Sequence, residues 1–460
     1  MATDLSHIFN APVMAQGLWG VEVRSLDTGR TLYELNARKL MMPASNMKIV
    51  TLAAAAQTLG WDYRFTTALE TTAPVSDGVL EGDLVVRGTG DPSINSRQQR
   101  DAAVLDEWAA ALKNEGIVRI AGRVVGDDNA FDDRPLGAGW SWDDLQYGYA
   151  APVGALEFDE NAATLDVRPG LAAGDITTAE LTPGSGLTIL NRAYTGAPGS
   201  VDTIEFVRHT DRPMLELTGS LAVDAKPAAF EVAVVNPTVY FAQSVKDGLA
   251  LRGIEVDGDA VDGDDVLDAP PPGTRRILTA ASSPPLRDIA TVMMKVSQNL
   301  YAETLLKAIG AATAGLGTAD GGRLGVRTIL AAWGIPPTTF VQLDGSGLSR
   351  YDYVTADMLV TILAHMAADP RHHDAFMATL PIAGQDGTLR SRLKHTRAEA
   401  NAIAKTGSMA NTRALSGYVR TRDDELLAYS ILANAFDIPA TTVNWIADLA
   451  VETLSNFTRR

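Results

Sequence analysis

Several features common in other proteins are scarce or absent here. The sequence contains no cysteine, which excludes disulfide bonds, thiolate metal ligands and a cysteine nucleophile. Its longest strongly apolar run, residues 49–56, is much shorter than the roughly 20 residues that a helix needs to cross a bilayer, so no transmembrane segment is predicted. Residues 1–6 have neither the basic region nor the apolar region of a secretion signal.

Positive charge is also scarce, with 39 Lys and Arg residues against 56 Asp and Glu residues and a net charge of -17. A protein that binds nucleic acid must neutralise phosphates with clustered basic residues, so the composition disfavours a nucleic-acid partner. The excess of acid favours solubility instead. With 460 residues and 46% hydrophobic content, the chain is predicted to form two or three packed domains.

Motifs for a cofactor or a metal are incomplete. The segment 88–92 lacks the third glycine of a dinucleotide loop. The acidic run 257–265 has Val261 where a calcium loop needs an oxygen ligand, and the pair His372 and His373 has no third histidine at ligand spacing. We therefore predict no cofactor and no metal, a solvated connector at the acidic run, and a structural role for the histidine pair.

The pattern of apolar residues predicts a fold of the α/β (α+β) class in which both chain ends build one sheet. Alternation with a period of two marks strands, and apolar residues three and four apart mark helices. The middle of the chain is β-rich, and helical patterns return after Pro285. Helices are predicted at 45–59, 102–114, 237–251, 288–309, 321–333, 355–367 and from about Thr442. A hairpin is predicted at 20–35, and strands are predicted at 403–408, 415–419 and 425–432. The segment 256–273, which contains Pro270, Pro271 and Pro272, is predicted to be a connector.

Ser45 and Lys48 form a Ser-x-x-Lys motif at the start of the predicted helix 45–59. Residues three apart lie on the same face of a helix, so the hydroxyl and the amine approach hydrogen-bonding distance. A serine becomes a strong nucleophile when a neighbouring base takes its proton, and a partly buried lysine with a lowered pKa is such a base. The free backbone N–H groups of the helix N-terminus can stabilise negative charge on an attacked carbonyl.

Two further motifs complete a set of three. A Ser-x-Asn motif is formed by Ser297 and Asn299, and a Lys-Thr-Gly motif begins at Lys405 in a predicted strand. Each motif is weak alone. Their order and local structure are typical of the β-lactamases and penicillin-binding proteins, and the sequence resembles that superfamily.

The long interval between Ser45 and Ser297 distinguishes the branches of this superfamily. Compact β-lactamases and the simpler low-molecular-mass carboxypeptidases have a much shorter, helical segment there. The long β-rich insertion resembles the class C penicillin-binding proteins, the D-Ala-D-Ala carboxypeptidase/endopeptidase family known as peptidase family S13. Further segments that look similar are 82–92, 122–128, 139–144, 344–350 and 380–389, so the resemblance covers about residues 20–434.

The resemblance implies a transpeptidase-like catalytic domain, in which helices flank an antiparallel sheet. This domain is expected to consist of residues 1–66 and 284–460. The inserted β-rich region is then 67–283, and we expect it to form two subdomains. One would be roughly 67–155 with 238–283, and the other 156–237.

Roles for the motif residues follow from the resemblance. Ser45 would attack the carbonyl between two D-alanines, Lys48 would accept its proton, and Ser297 would relay a proton toward the leaving nitrogen. Asn299 would hold the substrate amide, and Lys405 would supply positive potential for the terminal carboxylate. The following strand residues Thr406, Gly407 and Ser408 are assigned to substrate binding, and the backbone N–H groups of Ser45 and Ser408 are implied as oxyanion donors.

A side-chain pocket is also implied by the resemblance. Asp144 would face the free amine of a diaminopimelate-like or lysine-like residue, and Tyr149 would line the pocket wall. Arg350 and Met409 fall at matching positions. Gln298 departs from the commonest pattern, which has Asp there. Because that side chain is not the reactive group, the departure affects substrate detail and not the predicted activity.

The predicted function is a serine D-alanyl-D-alanine carboxypeptidase/endopeptidase that cleaves peptidoglycan stem peptides through an acyl-enzyme, with β-lactams as covalent inhibitors. One alternative is a β-lactamase or esterase on the same scaffold, for which Glu303 is a candidate base, although its spacing is more typical of a helix-surface acid. The other is a non-catalytic protein that binds wall peptides or β-lactams. Because the substrate lies outside the cytoplasmic membrane, we expect a periplasmic or cell-envelope enzyme whose leader has been removed.

Overall fold

The computed structural model describes residues 1–269, 271 and 273–459. The chain divides into two compact units. The first unit consists of Met1–Tyr63, Gly137–Gly139 and Pro285–Arg460, and the second consists of Arg64–Leu136 and Trp140–Pro284. The two subdomains expected within the insertion stay a prediction.

Helices and strands both occur along the chain. The α-helices are α1 (Ala2–Phe9), α2 (Met47–Leu59), α3 (Arg100–Asn114), α4 (Pro237–Ala250), α5 (Leu286–Lys295), α6 (Asn299–Ala314), α7 (Ala319–Ala332), α8 (Ala356–Ala368), α9 (His373–Thr379) and α10 (Ala440–Asn456). The strands are β1 (Leu18–Ser25), β2 (Thr31–Leu35), β3 (Thr66–Thr71), β4 (Val75–Ser76), β5 (Val79–Leu80), β6 (Leu84–Gly88), β7 (Arg119–Ile120), β8 (Val124–Asp127), β9 (Ala162–Arg168), β10 (Thr178–Leu181), β11 (Thr188–Asn191), β12 (Tyr194–Gly196), β13 (Glu205–Arg208), β14 (Met214–Thr218), β15 (Ser220–Ala222), β16 (Ala228–Ala233), β17 (Glu255–Val256), β18 (Ala260–Asp262), β19 (Arg276–Ser282), β20 (Phe340–Val341), β21 (Tyr353–Val354), β22 (Ile403–Met409), β23 (Thr412–Arg420) and β24 (Leu426–Asn434).

The first unit is built on a five-stranded antiparallel sheet in the order β2-β1-β24-β23-β22. β1 pairs with β24 over its whole length, so the two ends of the chain meet inside the sheet. Nearly all of β24 is buried, which explains its continuous apolar run, because both faces of the strand are covered. The predicted sheet from both chain ends is confirmed.

Alternate residues of β1 point to opposite faces of this sheet. On one face Trp19 joins a core formed with α1 and α10, where the ring of Phe9 meets it edge-on with 5.1 Å between ring centroids. On the other face Arg24 donates hydrogen bonds to Asp357 and Thr361 of α8. The Ala-rich helix α2 packs on α8 and α6. Since α2 is buried on all sides over most of its length, its buried residues are mostly apolar, with Lys48 and Thr51 as the polar exceptions.

The helix predicted at 288–309 is wrong as a single element, because it is broken between α5 and α6. Ser297 has φ of +67°, which a continuing α-helix does not allow. The Gln298 side chain then accepts a hydrogen bond from the backbone N–H of Leu300 at 3.1 Å and caps α6. The apolar pattern continues on both sides of the break, so periodicity alone did not reveal it.

The connector predicted at 256–273 is wrong for its first part, which contains β17 and the short strand β18. These strands pair in parallel with β7 and β8. A Cβ atom on Gly258 would lie 2.6 Å from the Gly122 carbonyl oxygen, so glycine allows the two backbones to approach. Pro270 and Pro272, two of the three prolines that suggested a connector, lie outside the described residues.

The second unit is β-rich, as predicted for the insertion. Its helices α3 and α4 pack on the strands around a core that includes Trp108 and Phe241. A separate core is shared by the sheets β10-β9-β16 and β11-β14-β13, with Leu165, Leu215 and Val232 among its members. In the part of the chain that the structure describes, no helix combines the length and the apolar character needed to span a membrane.

Candidate active site

Ser45 lies on a single 3₁₀ turn, Ala44–Asn46, that leads directly into α2. Ala44 has φ of +45°, which turns the chain sharply just before the helix. The Asn46 side chain donates from Nδ2 to Ser416 Oγ of β23 at 2.7 Å and so ties the start of α2 to the sheet. Ser45 is therefore fixed at the N-terminal end of a buried helix while its own side chain stays partly exposed.

The amine of Lys48 lies at the centre of the motif residues. Its Nζ atom is 3.0 Å from Ser45 Oγ, as the spacing of three residues predicts. It donates to Asn299 Oδ1 at 2.6 Å and to the Ser346 carbonyl oxygen at 2.9 Å. Lys48 has no exposed surface. The first two predicted motifs therefore meet at one buried amine.

Burial lowers the pKa of Lys48 from 10.5 to about 7, although the nearby carboxyl groups of Asp344 and Glu303 act in the opposite direction. A neutral amine keeps two N–H donors and gains a lone pair. The two donors can stay on their two oxygen acceptors while the lone pair accepts the proton of the Ser45 hydroxyl. Lys48 thus has the surroundings of a general base that works near neutral pH.

Ser297 and Lys405 form a second pair. Lys405 Nζ donates to Ser297 Oγ at 2.8 Å and to the Thr406 carbonyl oxygen at 2.8 Å. Lys405 is fully buried, and burial together with the charge of Lys48 holds its pKa well below its ordinary value. A carboxylate bound beside Lys405 would raise that pKa again, so this lysine is suited to hold an anion.

Strand β22 carries the third motif along an edge of the central sheet, next to the Ala44–Asn46 turn. A Cβ atom on Gly407 would lie 2.6 Å from the Pro43 carbonyl oxygen. Only glycine therefore lets the strand approach the start of α2 this closely. An edge strand also offers backbone N–H and C=O groups to which an extended peptide can add.

The remaining predicted residues of this strand lie beyond the lysine. Thr406 donates from Oγ1 to Thr388 Oγ1 at 2.7 Å, and Ser408 is exposed. Met409 is half-buried at the end of β22. Arg350, which also belongs to the first unit, is exposed. The part of these residues in substrate binding stays a prediction.

Comparison with known proteins decides the family, because residues 1–451 match the D-Ala-D-Ala carboxypeptidase 3 (S13) family. The chain belongs to this family. It is 35% identical to a D-alanyl-D-alanine carboxypeptidase of Actinomadura sp., over 95% of this chain and 81% of that protein. It is 30% identical to the D-alanyl-D-alanine carboxypeptidase DacB of Haemophilus influenzae, over 91% of this chain and 85% of that protein.

Solved structures agree with this S13 assignment. The crystal structure of penicillin-binding protein 4 (dacB) from Haemophilus influenzae matches with a TM-score of 0.85 and 28% identity over 99% of both chains. The same protein in complex with a novel β-lactam matches with a TM-score of 0.79 and 25% identity, again over 99% of both chains. The S13 chain is therefore a peptidase with the penicillin-binding transpeptidase-like fold, and the predicted D-Ala-D-Ala carboxypeptidase function is confirmed.

Sequence reasoning missed three groups around the motif residues of this S13 peptidase. They are the Ser346 carbonyl on Lys48, the Asn46 amide at the helix start and the Thr388 hydroxyl on β22. Within the segment 344–350, which is similar to the family, only Arg350 was given a predicted role, and residues 344–349 were given none. A backbone carbonyl leaves no mark on residue identity, so Gly-Ser-Gly within that segment was the sole signal for a tight turn.

Glu303 was expected to be a helix-surface acid, and that expectation is wrong. The residue is 5% exposed because α6 is buried on every side from Leu300 to Gly310, where it packs on α2, α5 and α7. Burial and the nearby Asp344 raise the pKa of Glu303 to about 8. Its carboxyl oxygens accept hydrogen bonds from the backbone N–H groups of Gly345 and Ser346.

The predicted side-chain pocket residues Asp144 and Tyr149 belong to the second unit. Tyr149 donates from its hydroxyl to Asp144 Oδ1 at 2.7 Å, and its ring stacks on Tyr147 with 5.2 Å between centroids. Burial and the Asp144 carboxylate raise the pKa of Tyr149 above its ordinary value. This pair presents a carboxylate held by an aromatic hydroxyl, and its contact with a substrate amine stays a prediction.

His372 and a cluster of aspartates have side chains of the kind that bind metals. His372 is buried, accepts a hydrogen bond from Trp61 Nε1 at 3.1 Å and precedes α9, as expected for a structural histidine. Within the described residues, the carboxylates close enough to share an ion are those of Asp128, Asp133 and Asp264 in the second unit. Two of them are exposed to solvent, where hydrated carboxylates are common.

Proposed function

We propose that this S13 peptidase cleaves peptidoglycan stem peptides through an acyl-enzyme on Ser45, as a carboxypeptidase on peptides that end in D-Ala-D-Ala and as an endopeptidase. The observation that carries the proposal is the buried amine of Lys48, 3.0 Å from the Ser45 hydroxyl and hydrogen-bonded to Asn299. A protein that only binds peptides would not need a lysine with a pKa near 7 beside a partly exposed serine.

In the proposed acylation, Ser45 Oγ attacks the carbonyl carbon of the penultimate D-alanine while its proton passes to Lys48 Nζ. Backbone N–H groups at the start of α2 and on β22 stabilise the oxyanion. The C–N bond then breaks, and a proton delivered through Ser297 leaves with the D-alanine nitrogen. An ester on Ser45 remains. Water adds to this ester, releases the shortened peptide and returns the proton to the serine.

Substrate recognition is proposed to use charge at both ends of the peptide. Lys405 with the hydroxyl groups of Thr406 and Ser408 would bind the terminal carboxylate, since a buried lysine gains most from an anionic partner. Asp144, supported by Tyr149, would bind a free amine on the peptide side chain. Arg350 and Met409 would add further contacts with the substrate.

β-Lactams are proposed as covalent inhibitors that acylate the same serine. Support comes from the relative in Haemophilus influenzae, whose crystal structure contains a β-lactam. Because D-Ala-D-Ala peptides of the wall lie outside the cytoplasmic membrane, the enzyme is proposed to work in the periplasm or at the cell envelope.

Rapid turnover of penicillin, as in a β-lactamase, is disfavoured. Both oxygens of Glu303 already accept backbone N–H groups of the turn at 344–349, at 2.8 and 2.9 Å. This arrangement opposes its use as the base that activates water. We expect a penicilloyl adduct that lasts minutes or longer, and an adduct that disappears within seconds would favour the β-lactamase alternative.

Intact mass after incubation with penicillin tests the proposed function. The wild type should gain one adduct and release D-alanine from a wall pentapeptide, whereas Ser45→Ala should do neither because the nucleophile is gone. Ser76→Ala, at an exposed serine of β4, is the matched control and should behave as the wild type. An adduct on Ser45→Ala, or penicillin binding with no D-alanine release by the wild type, would contradict the proposal.

A further inference from the structure

The turn at 344–349 lies between α6 and the start of α2. A Cβ atom on Gly345 would lie 2.4 Å from the Ala302 carbonyl oxygen of α6. A Cβ atom on Gly347 would lie 1.8 Å from the Ala44 carbonyl oxygen, next to Ser45. Both glycines are therefore needed for this packing. The turn is close enough to Ser45 that a small shift of its backbone would change the position of the Ser45 side chain.

Glu303 holds this turn from the α6 side. Its Oε2 atom accepts from Gly345 N at 2.9 Å and its Oε1 atom from Ser346 N at 2.8 Å. The carbonyl oxygen of the same Ser346 accepts from Lys48 Nζ at 2.9 Å. A continuous chain of hydrogen bonds therefore runs from the Glu303 carboxyl group, through one residue of backbone, to the amine beside Ser45.

Several charged groups act on Glu303 or Lys48. Asp344 and Asp352 face this chain of hydrogen bonds from the loop, Lys48 from α2 and Lys405 from β22. Burial raises the pKa of Glu303 to about 8, while burial lowers that of Lys48 to about 7. Burial thus favours the neutral form of each group, and a neutral amine is what a general base requires.

We propose that Glu303 is a positioning residue for Lys48: it fixes the Ser346 carbonyl that holds the lysine amine beside Ser45. The inference rests on the proposed function, since it concerns how the general base of that reaction is prepared. Glu303 acts through the turn and does not touch the substrate.

The substitution Glu303→Gln tests this role. An amide has one oxygen to accept a backbone N–H, but its NH₂ group meets the second N–H as another donor. The Ser346 peptide should shift, and the plateau rate of acylation by penicillin should fall about tenfold to a hundredfold. Because a hydrogen bond to the Ser346 carbonyl favours the charged form of the Lys48 amine, weakening that bond should also lower the pKa of Lys48 and move the acid limb of the pH profile to lower pH.

Glu34→Gln is the matched control, because it makes the same chemical change on an exposed residue of β2. It should leave the rate and the pH profile unchanged. Thermal unfolding of each variant checks that the chain is folded. A folded Glu303→Gln enzyme with the wild-type rate, or with a slower rate and an unmoved acid limb, would overturn the proposal.

If Glu303→Gln does not fold, Glu303→Asp decides. It keeps the carboxyl group but withdraws it by one methylene, so the Ser346 carbonyl should again shift, acylation should slow and the acid limb should move to lower pH. A wild-type rate in this variant would overturn the proposal. The experiment separates this proposal from the proposed function. A wild type that forms no adduct at Ser45 would overturn both the proposed function and the positioning role. A wild type that forms the adduct, with Glu303 variants that acylate at the same rate, would overturn the positioning role alone.

Discussion

At the scale of single residues, the behaviour of Lys48 decides how the enzyme responds to pH. We expect the rate of acylation by penicillin to rise with pH through about 7 and then to level off, because Ser45 needs the neutral amine. The pKa of Lys48 is lowered, so the base form dominates above about 7 and is lost as protons bind below it. Below that value the rate should fall about tenfold for each pH unit.

The measurement is the rate of adduct formation, followed by intact mass from about pH 5 to about pH 9. A rate that is constant over this range would mean that the lysine is not the base. A rate that still rises steeply near the upper end would mean that the amine keeps the ordinary pKa of an exposed lysine.

The residues of the three motifs could be found from the sequence because the catalytic chemistry proposed for them restricts residue type. A serine with a lysine three positions later and two further polar motifs is a pattern that can be read without coordinates. The groups that surround these side chains could not be found in this way. The Ser346 carbonyl and the burial of Glu303 depend on how α6 packs against α2, and neither leaves a signature in the spacing of residues.

At the scale of elements, the break between α5 and α6 shows where pattern reading stops. Helical spacing predicted one helix over 288–309, and the apolar pattern does continue across the break. The left-handed backbone of Ser297 turns its side chain toward Lys405 of the distant strand β22. The surrounding fold maintains this strained backbone at Ser297, and a local sequence pattern carries no information about that fold.

The close approach of the 344–349 turn to the start of α2 gives a prediction about stability. Gly347 has φ of +83°, and a Cβ atom there would overlap the Ala44 carbonyl. Gly347→Ala should therefore lower the free energy of unfolding by about 1–2 kcal/mol for the left-handed backbone and about 1–3 kcal/mol for the overlap. It should also slow acylation, because the turn moves against the residue that precedes Ser45.

Gly315→Ala is the matched control, since Gly315 has the same φ of +83° but no atom within 4 Å of its added Cβ. This substitution should lower the free energy of unfolding by only about 1–2 kcal/mol and should leave the rate of acylation unchanged. Chemical denaturation and adduct formation measure the two quantities. Equal losses of stability in both variants would contradict the close-packing argument.

At the scale of the whole molecule, the first unit depends on its last helix. α10 buries Val443, Ile446, Val451 and Leu454 against the central sheet. Burial of four such side chains contributes roughly 6–12 kcal/mol, as much as the whole stability of a typical domain. A chain that ends at residue 439 should therefore lose the folded first unit and form no penicillin adduct.

Trp445→Ala is the control for this truncation, because Trp445 is a large α10 residue that is 63% exposed. It should change the free energy of unfolding by less than about 0.5 kcal/mol and leave adduct formation intact. Limited proteolysis tests whether the truncated chain and the Trp445→Ala variant are folded, and intact mass detects the adduct on each. A truncated chain that still forms the adduct would contradict the dependence on α10.

The pairing of β1 with β24 has a consequence for biosynthesis. Ser45, the proposed nucleophile, emerges from the ribosome long before the strands β22 to β24, which complete its surroundings. The second unit is nearly continuous in the chain and can fold first. A nascent or prematurely terminated polypeptide that stops before β22 therefore carries Ser45 and Lys48 without Lys405, and no hydrolytic activity should arise until β22, β23 and β24 have been translated.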